Sequence, residues 1–147
     1  MITVRAATHN DVETIVELGN QFWNEHYYSQ YGDYSPGRTR MMLHGMVEGP
    51  MSVIIVAEDG DSIVGYIAFI VAQIPWGNVS SAVESLWWVL TEYRSRGIGK
   101  DLFDAGLEWA EIMGCDLIEA HDESGKRIHQ CVTQQPSSAS SVSAQAS

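Results

Sequence analysis

Positive charge is scarce in this chain. Eight Lys and Arg stand against 19 Asp and Glu, a formal net charge of −11 over 147 residues. Proteins that hold nucleic acid without sequence preference do so by neutralising phosphates with Lys and Arg, so no nucleic-acid partner is expected. The field of so acidic a surface draws in cations instead. Cysteine is equally sparse. Cys115 and Cys131 have no metal-ligand spacing, and His9, His26, His44, His121 and His129 are scattered along the chain, so no metal site is expected. Long apolar runs are missing as well: none approaches the ~18 residues of a membrane span. The opening "MITVRAATHND" has no apolar stretch behind a basic one. The expectation is a cytoplasmic protein with free thiols and no membrane association.

What the chain does have is apolar residues in two distinct periods, in a length that suits one domain. "ITVRAA" (2–7) predicts a first strand, and Thr8 with Asp11 a capping-box start. Val12, Ile15, Val16, Gly19, Phe22 and Trp23 recur at helical spacing, which predicts a helix over about 9–24. "EHYYSQYGDYS" (25–35) is aromatic and polar without a period and reads as a loop. Ser35-Pro36 opens a second helix to about Glu48. "MSVIIVAED" and "SIVGYIAFIVAQI", separated by Gly60-Asp61, predict a hairpin. A break at Pro75 to Asn78 precedes the strand "SAVESLWWVL" (81–90).

Leu102, Phe103, Gly106, Ala110 and Met113 then mark a helix from about Gly97 to Met113. "CDLIEAH" (115–121) is a further strand, and "ESGKRIHQCVTQ" predicts a short final helix. The closing Ser, Ala and Gln tail cannot bury apolar surface, so the reading is one domain over 1–134 and a disordered tail over 135–147. The element order implies an α+β fold: helices packed on a mixed, mostly antiparallel sheet, with the unit at 81–121 supplying its one parallel pair.

The scarce cations are not spread evenly. Arg94, Arg96, Lys100, Lys126 and Arg127, five of the eight, lie in the last third. Three of them flank Gly97 and Gly99 in "YRSRGIGKDLFDAGLEWA" (93–110), at the start of a helix. A helix N-terminus presents unpaired N–H groups and the positive end of the macrodipole, and glycine lets a phosphate approach the backbone. The turn lacks the lysine of a P-loop and the third glycine of a dinucleotide fingerprint. It reads as a generic phosphate site for a polyanionic cofactor. If the helices after it and at 123–134 begin on one sheet edge, the cations would ring that site.

Arg94-Ser95-Arg96-Gly97-Ile98-Gly99 resembles the [Q/R]-x-x-G-x-[G/A] signature of the GCN5-related N-acetyltransferases (GNAT superfamily). The wider "WWVLTEYRSRGIGKDLFDAGLEWAEIMGCDLIEA" is similar to that family's strand, pyrophosphate loop, helix and strand, and the element order agrees over residues 1–121. The resemblance implies acetyl-CoA lying between two splayed parallel strands. It would place the pyrophosphate on Arg94, Ser95, Arg96, Gly97, Ile98, Gly99 and Lys100, and the pantetheine along Val89 and Leu90.

The match also departs from the family. Members usually continue with a helix carrying a tyrosine that protonates the departing thiolate, then two more strands. No tyrosine follows Tyr93, and apolar content collapses after Val132. The expectation is therefore a shortened member lacking the two C-terminal strands. Cys131 falls near the tyrosine's place; it is a candidate acid or a plain helix residue. Glu84, a lone carboxylate in an apolar strand, is a candidate base for the amine, or a residue on an exposed face or at a bulge. His121 is a further candidate base. Two functions follow. The first is an N-acetyltransferase moving an acetyl group from acetyl-CoA to a primary amine, with a cationic acceptor favoured by the acidic surface and the loop at 25–35, with Glu25 and Asp33, on the acceptor side. The second is a catalytically weak module that binds CoA or a protein partner, a second copy included, through an open sheet edge.

Overall fold

The computed structural model describes residues 1–121, 125–132 and 145–146. Six strands form one sheet in chain order: β1 (Ile2–Ala6), β2 (Ser52–Asp59), β3 (Ser62–Ile74), β4 (Val79–Val89), β5 (Leu117–His121) and β6 (Arg127–Cys131). A two-residue strand, β7 (Gln145–Ala146), pairs with β6. Neighbours run antiparallel except β4 and β5, which are parallel and joined by a helix crossover. The helices are α1 (Val12–Glu25), α2 (Pro36–Glu48) and α3 (Ile98–Ile112). The α+β layout, the 60–61 hairpin turn and the single parallel pair all match the sequence reading.

Strand alternation divides the core into two layers. Ile55, Ala57, Ile67, Phe69, Ala82 and Val89 face α3, where they meet Ile98, Leu102 and Ala110. Ile54, Val56, Tyr66, Ala68 and Trp88 face the opposite way, onto Val12, Ile15 and Val16 of α1 and Leu43 and Met46 of α2. The α3 packing is close because Gly106 has no side chain: a Cβ there would run into the Phe69 ring. The capping box at Thr8 forms as the sequence implies, and its Asp11 has a second role. Arg5 clamps Asp11 through both terminal nitrogens, at 2.8 Å each, and reaches Glu58 through Nε at 2.8 Å. This ties β1, β2 and the start of α1 together.

One element differs from its sequence reading. Residues 127–131 are not the start of a helix but the strand β6, laid antiparallel on β5 from His121↔Arg127 to Leu117↔Cys131. A left-handed Gly125 (φ +83°) precedes it. The outer edge of β5 offers unpaired backbone groups, and a five-residue segment satisfies them better by pairing than by forming a helix too short to propagate. The residues that would carry further C-terminal strands, and most of the expected disordered tail, lie outside the described residues.

Candidate active site

The glycine turn is built from unusual backbone. Ser95 (φ +67°) and Gly97 (φ +81°) are both left-handed, and Gly97 is the N-cap of α3. The first helical bond runs from Asp101 N–H to Gly97 O at 3.0 Å. Helix geometry therefore leaves the amides of Ile98, Gly99 and Lys100 without an intrahelical acceptor. They open onto a cavity of about 180 Å³ lined by Val89, Tyr93, Arg94, Ser95, Gly97, Ile98, Gly99 and Lys100. Every residue assigned to the pyrophosphate except Arg96 thus borders one hollow. Unpaired amides at the positive end of a helix dipole suit phosphate oxygens, so the residues present fit the pyrophosphate of acetyl-CoA.

The cations do not form a ring. Arg94 donates from Nε to Val89 O (2.8 Å) and from Nη2 to Glu25 (2.7 Å), Lys100 pairs with Asp104 (2.7 Å), and Arg96 lies 4.8 Å from the centroid of the Tyr93 ring. Lys126 and Arg127 stand at the start of β6 instead of at a helix start, and Arg127 pairs with Glu119 at 2.9 Å.

Beside the turn, β4 and β5 splay. They pair only from Ser81↔Leu117 to Val83↔Glu119, after which β4 continues to Val89 and β5 ends at His121. The cause is visible in the β3–β4 register. Phe69 pairs with Glu84 but Ala68 with Leu86, so Ser85 is the extra residue of a β-bulge. Past the bulge, Leu90 N–H donates to Val64 O at 2.7 Å. Antiparallel alternation then directs the N–H and C=O of Trp87 and Val89 away from β3, toward the opening. Among the described residues the open edge is therefore the N–H and C=O of Trp87 and the N–H of Val89, whose C=O accepts from Arg94, whereas Leu90, read as a pantetheine contact, has its amide engaged by β3. Strand parity across a bulge is invisible in sequence, which is why Trp87 was missed.

Glu84 stands where the strands part. Its Oε1 accepts the backbone N–H of His121 at 3.1 Å, in place of a carbonyl from a continued β4. Burial pushes its carboxyl above the usual carboxylate range, opposed by that N–H and by the nearby His121. A carboxylate that holds its proton more tightly than usual, at the apex of the opening, is suited to proton transfer.

Cys131 is not brought to this point. It pairs with Leu117 at the far end of β5, four strand residues, or about 13 Å, from His121. A carboxylate not read from the sequence, Glu119, links three strands: Ser81 Oγ donates to it at 2.6 Å and Arg127 at 2.9 Å. Burial raises its carboxyl, but these bonds outweigh burial and hold it below the usual range. Nε2 of His129 is buried without a hydrogen-bond partner among the described residues, 4.0 Å from Glu119 Oε1.

The residues read as acceptor side separate in the structure. Glu25 faces the turn through Arg94, while Asp33 lines a larger hollow of about 740 Å³ between α1 and residues 29–40, together with Glu13, Glu17, Trp23 and Tyr34. That hollow shares no lining residue with the cavity at the turn. Among the described residues there is no cluster of three or more metal-ligating side chains and no helix long and apolar enough to cross a membrane.

A splayed parallel pair, a bulge ahead of it and a glycine turn opening a helix are the arrangement that the sequence resemblance implies. The chain belongs to the acetyltransferase (GNAT) family, whose model matches residues 14–129. A transcriptional regulator from Bacillus halodurans C-125 has a similar structure, with 22% identity, 84% of each chain covered and a TM-score of 0.70. So does AAC(6')-Iy, solved with a bisubstrate analog, CoA-S-monomethyl-acetylneamine: 15% identity, 84% of this chain and 80% of that one, TM-score 0.70. A predicted acetyltransferase from Clostridium acetobutylicum, solved with acetyl-CoA, gives 15% identity, 85% and 84% coverage and a TM-score of 0.69. At such identities the likeness is one of fold. Comparison with curated proteins finds no match.

Proposed function

We propose that this protein transfers an acetyl group from acetyl-CoA to a primary amine. The observation that carries the reading is the placement of two features along β4: a cavity over the free amides of Ile98, Gly99 and Lys100 where the strand ends, and a half-buried Glu84, its carboxyl pushed up by burial, where β4 and β5 part. Acetyl-CoA supplies the activated acyl group as a thioester. The amides at the start of α3 hold the pyrophosphate, and the N–H and C=O of Trp87 with the N–H of Val89 pair with the pantetheine amides. Glu84, ionised, takes a proton from the acceptor's ammonium, directly or through water, freeing the nitrogen lone pair for attack. The C–N bond forms as the C–S bond breaks, and the second proton shed by the acetylated nitrogen passes to the departing CoA thiolate, directly or through water, giving free CoA. The net charge of −11 favours cationic acceptors.

The test is release of free CoA from acetyl-CoA against a panel of polyamines, aminoglycosides and basic peptides. Acceptor-dependent release supports the reading; a folded, CoA-binding protein silent across the panel contradicts it. One observation favours a second reading, a CoA-binding module with weak turnover. No tyrosine follows Tyr93, and Cys131 stands at the far end of β5, so neither supplies an acid beside Glu84. That reading predicts CoA binding with acetyl transfer no faster than in Glu84→Gln.

A further inference from the structure

The contact between Glu25 and Arg94 spans 69 residues of sequence and links α1 to the glycine turn. Glu25 is the last residue of α1, and its Oε1 accepts from Arg94 Nη2 (2.7 Å) and from the indole N–H of Trp88 (3.3 Å). Arg94 in turn donates from Nε to Val89 O, on the free edge of β4, with its guanidinium 5.9 Å from the Trp88 ring centroid. One carboxylate thus gathers the end of β4 and the first residue of the turn.

The turn needs such fastening. Two of the three residues after Arg94 are left-handed, and one of them is a serine, a conformation that persists only where surroundings enforce it. The turn's other charged side chains make local contacts, Arg96 with Tyr93 and Lys100 with Asp104, which cannot fix the turn against the sheet. Ahead of the turn, Tyr93 is held by Asp59 at 2.8 Å. Glu25 supplies the hold on the other side, at the turn's own first residue.

We propose that Glu25 is a positioning residue of the donor site: by holding Arg94 against Val89 it sets the turn that receives the CoA pyrophosphate. The inference rests on the reading of the turn as a CoA site. It assigns the end of α1 to the donor half, and it makes Arg94 a strut of the turn, its charge already met by a carboxylate.

The two roles for Arg94 predict opposite signs for Glu25→Gln. If Arg94 contacts the pyrophosphate, removing the competing carboxylate tightens CoA. If Glu25 positions the turn, the same change weakens CoA, by about tenfold for one lost charge-assisted hydrogen bond. The glutamine can still accept from Trp88, so the fold is retained and the melting temperature should stay within about 3 °C of wild type. Calorimetric titration with CoA of wild type, Glu25→Gln, Arg94→Ala and the double variant decides the matter. The expected result is weaker binding by both single variants, with the double variant no weaker than Arg94→Ala. Equal or tighter binding by Glu25→Gln, fully additive losses, or a melting temperature lower by more than about 10 °C would each overturn the inference and leave the donor-site reading standing. A wild-type chain that does not bind CoA overturns both.

Discussion

Glu84 shows how one residue can be both a liability and an instrument. Its carboxyl is pushed up by burial and is only partly compensated by the His121 amide. The folded-state pKa therefore lies above the unfolded one, and the folded chain holds this proton more tightly. Stability linked to Glu84 is complete below the unfolded value of ~4.3 and declines as pH rises through the folded value. Glu84→Gln keeps an acceptor for the His121 amide without the charge. It should melt higher than wild type at about pH 8, and the gain should vanish below about pH 4. In the proposed mechanism Glu84 acts in its ionised form, so wild-type turnover should fall on the acid side with a midpoint above ~4.3. The variant should lose that limb and at least about 10²-fold in kcat, with CoA affinity unchanged. A thermal-melt series and a pH–rate profile read both effects; a variant less stable at all pH values, with full turnover, would contradict them. The sequence marked Glu84 as an isolated charge in an apolar strand. It could not say which way the side chain points, because the Ser85 bulge that decides this has no local signature.

Among the elements, α3 and its turn were the most legible, because glycine, cation and helical period coincide over residues 94–113. The two glycines nevertheless act differently. Gly97 supplies a left-handed N-cap and has open space where a side chain would go, so a side chain there strains the backbone. Gly99 has no positive φ; a Cβ there would stand 3.7 Å from Trp87 Nε1 and 3.9 Å from Val89 Cγ2, beside the free edge of β4. It keeps the cavity open. Deeper in α3, Gly106→Ala must displace the buried Phe69 ring and should cost about 1–3 kcal/mol, measured by denaturant titration; an unchanged midpoint would mean that α3 packs less tightly than it stands here. The least legible element was β6. A five-residue segment with one β-branched residue, Ile128, carries too little period to separate strand from helix, and only the waiting edge of β5 decides it. Cys131 went with it, since its candidate role depended on a helical position.

Across the whole molecule, an excess of carboxylates has to be distributed without self-repulsion dominating. The chain does this partly by sharing cations. Arg5 serves Asp11 and Glu58 together, and its hydrogen bonds hold both carboxyls below their usual range. Because those folded pKa values are depressed, the stability they contribute is present above about pH 4 and lost as pH falls through the folded values. Arg5→Gln should therefore lower stability at neutral pH, and the gap to wild type in a thermal-melt series should close in acid; a gap independent of pH would contradict the linkage. The same scarcity of cations is consistent with the proposed donor site's reliance on backbone amides. Arg94 and Lys100 each have a carboxylate partner and Arg96 lies over the Tyr93 ring, so among the described residues the turn has no cluster of unpaired side-chain charge to bind phosphate by itself. The account stands on that claim, and CoA titration of Gly99→Val against wild type tests it most directly. The variant adds apolar bulk inside the cavity without straining φ, so it should fold and melt like wild type while CoA binding is lost. A folded Gly99→Val protein that binds CoA as tightly as wild type would place the cofactor elsewhere and contradict the account.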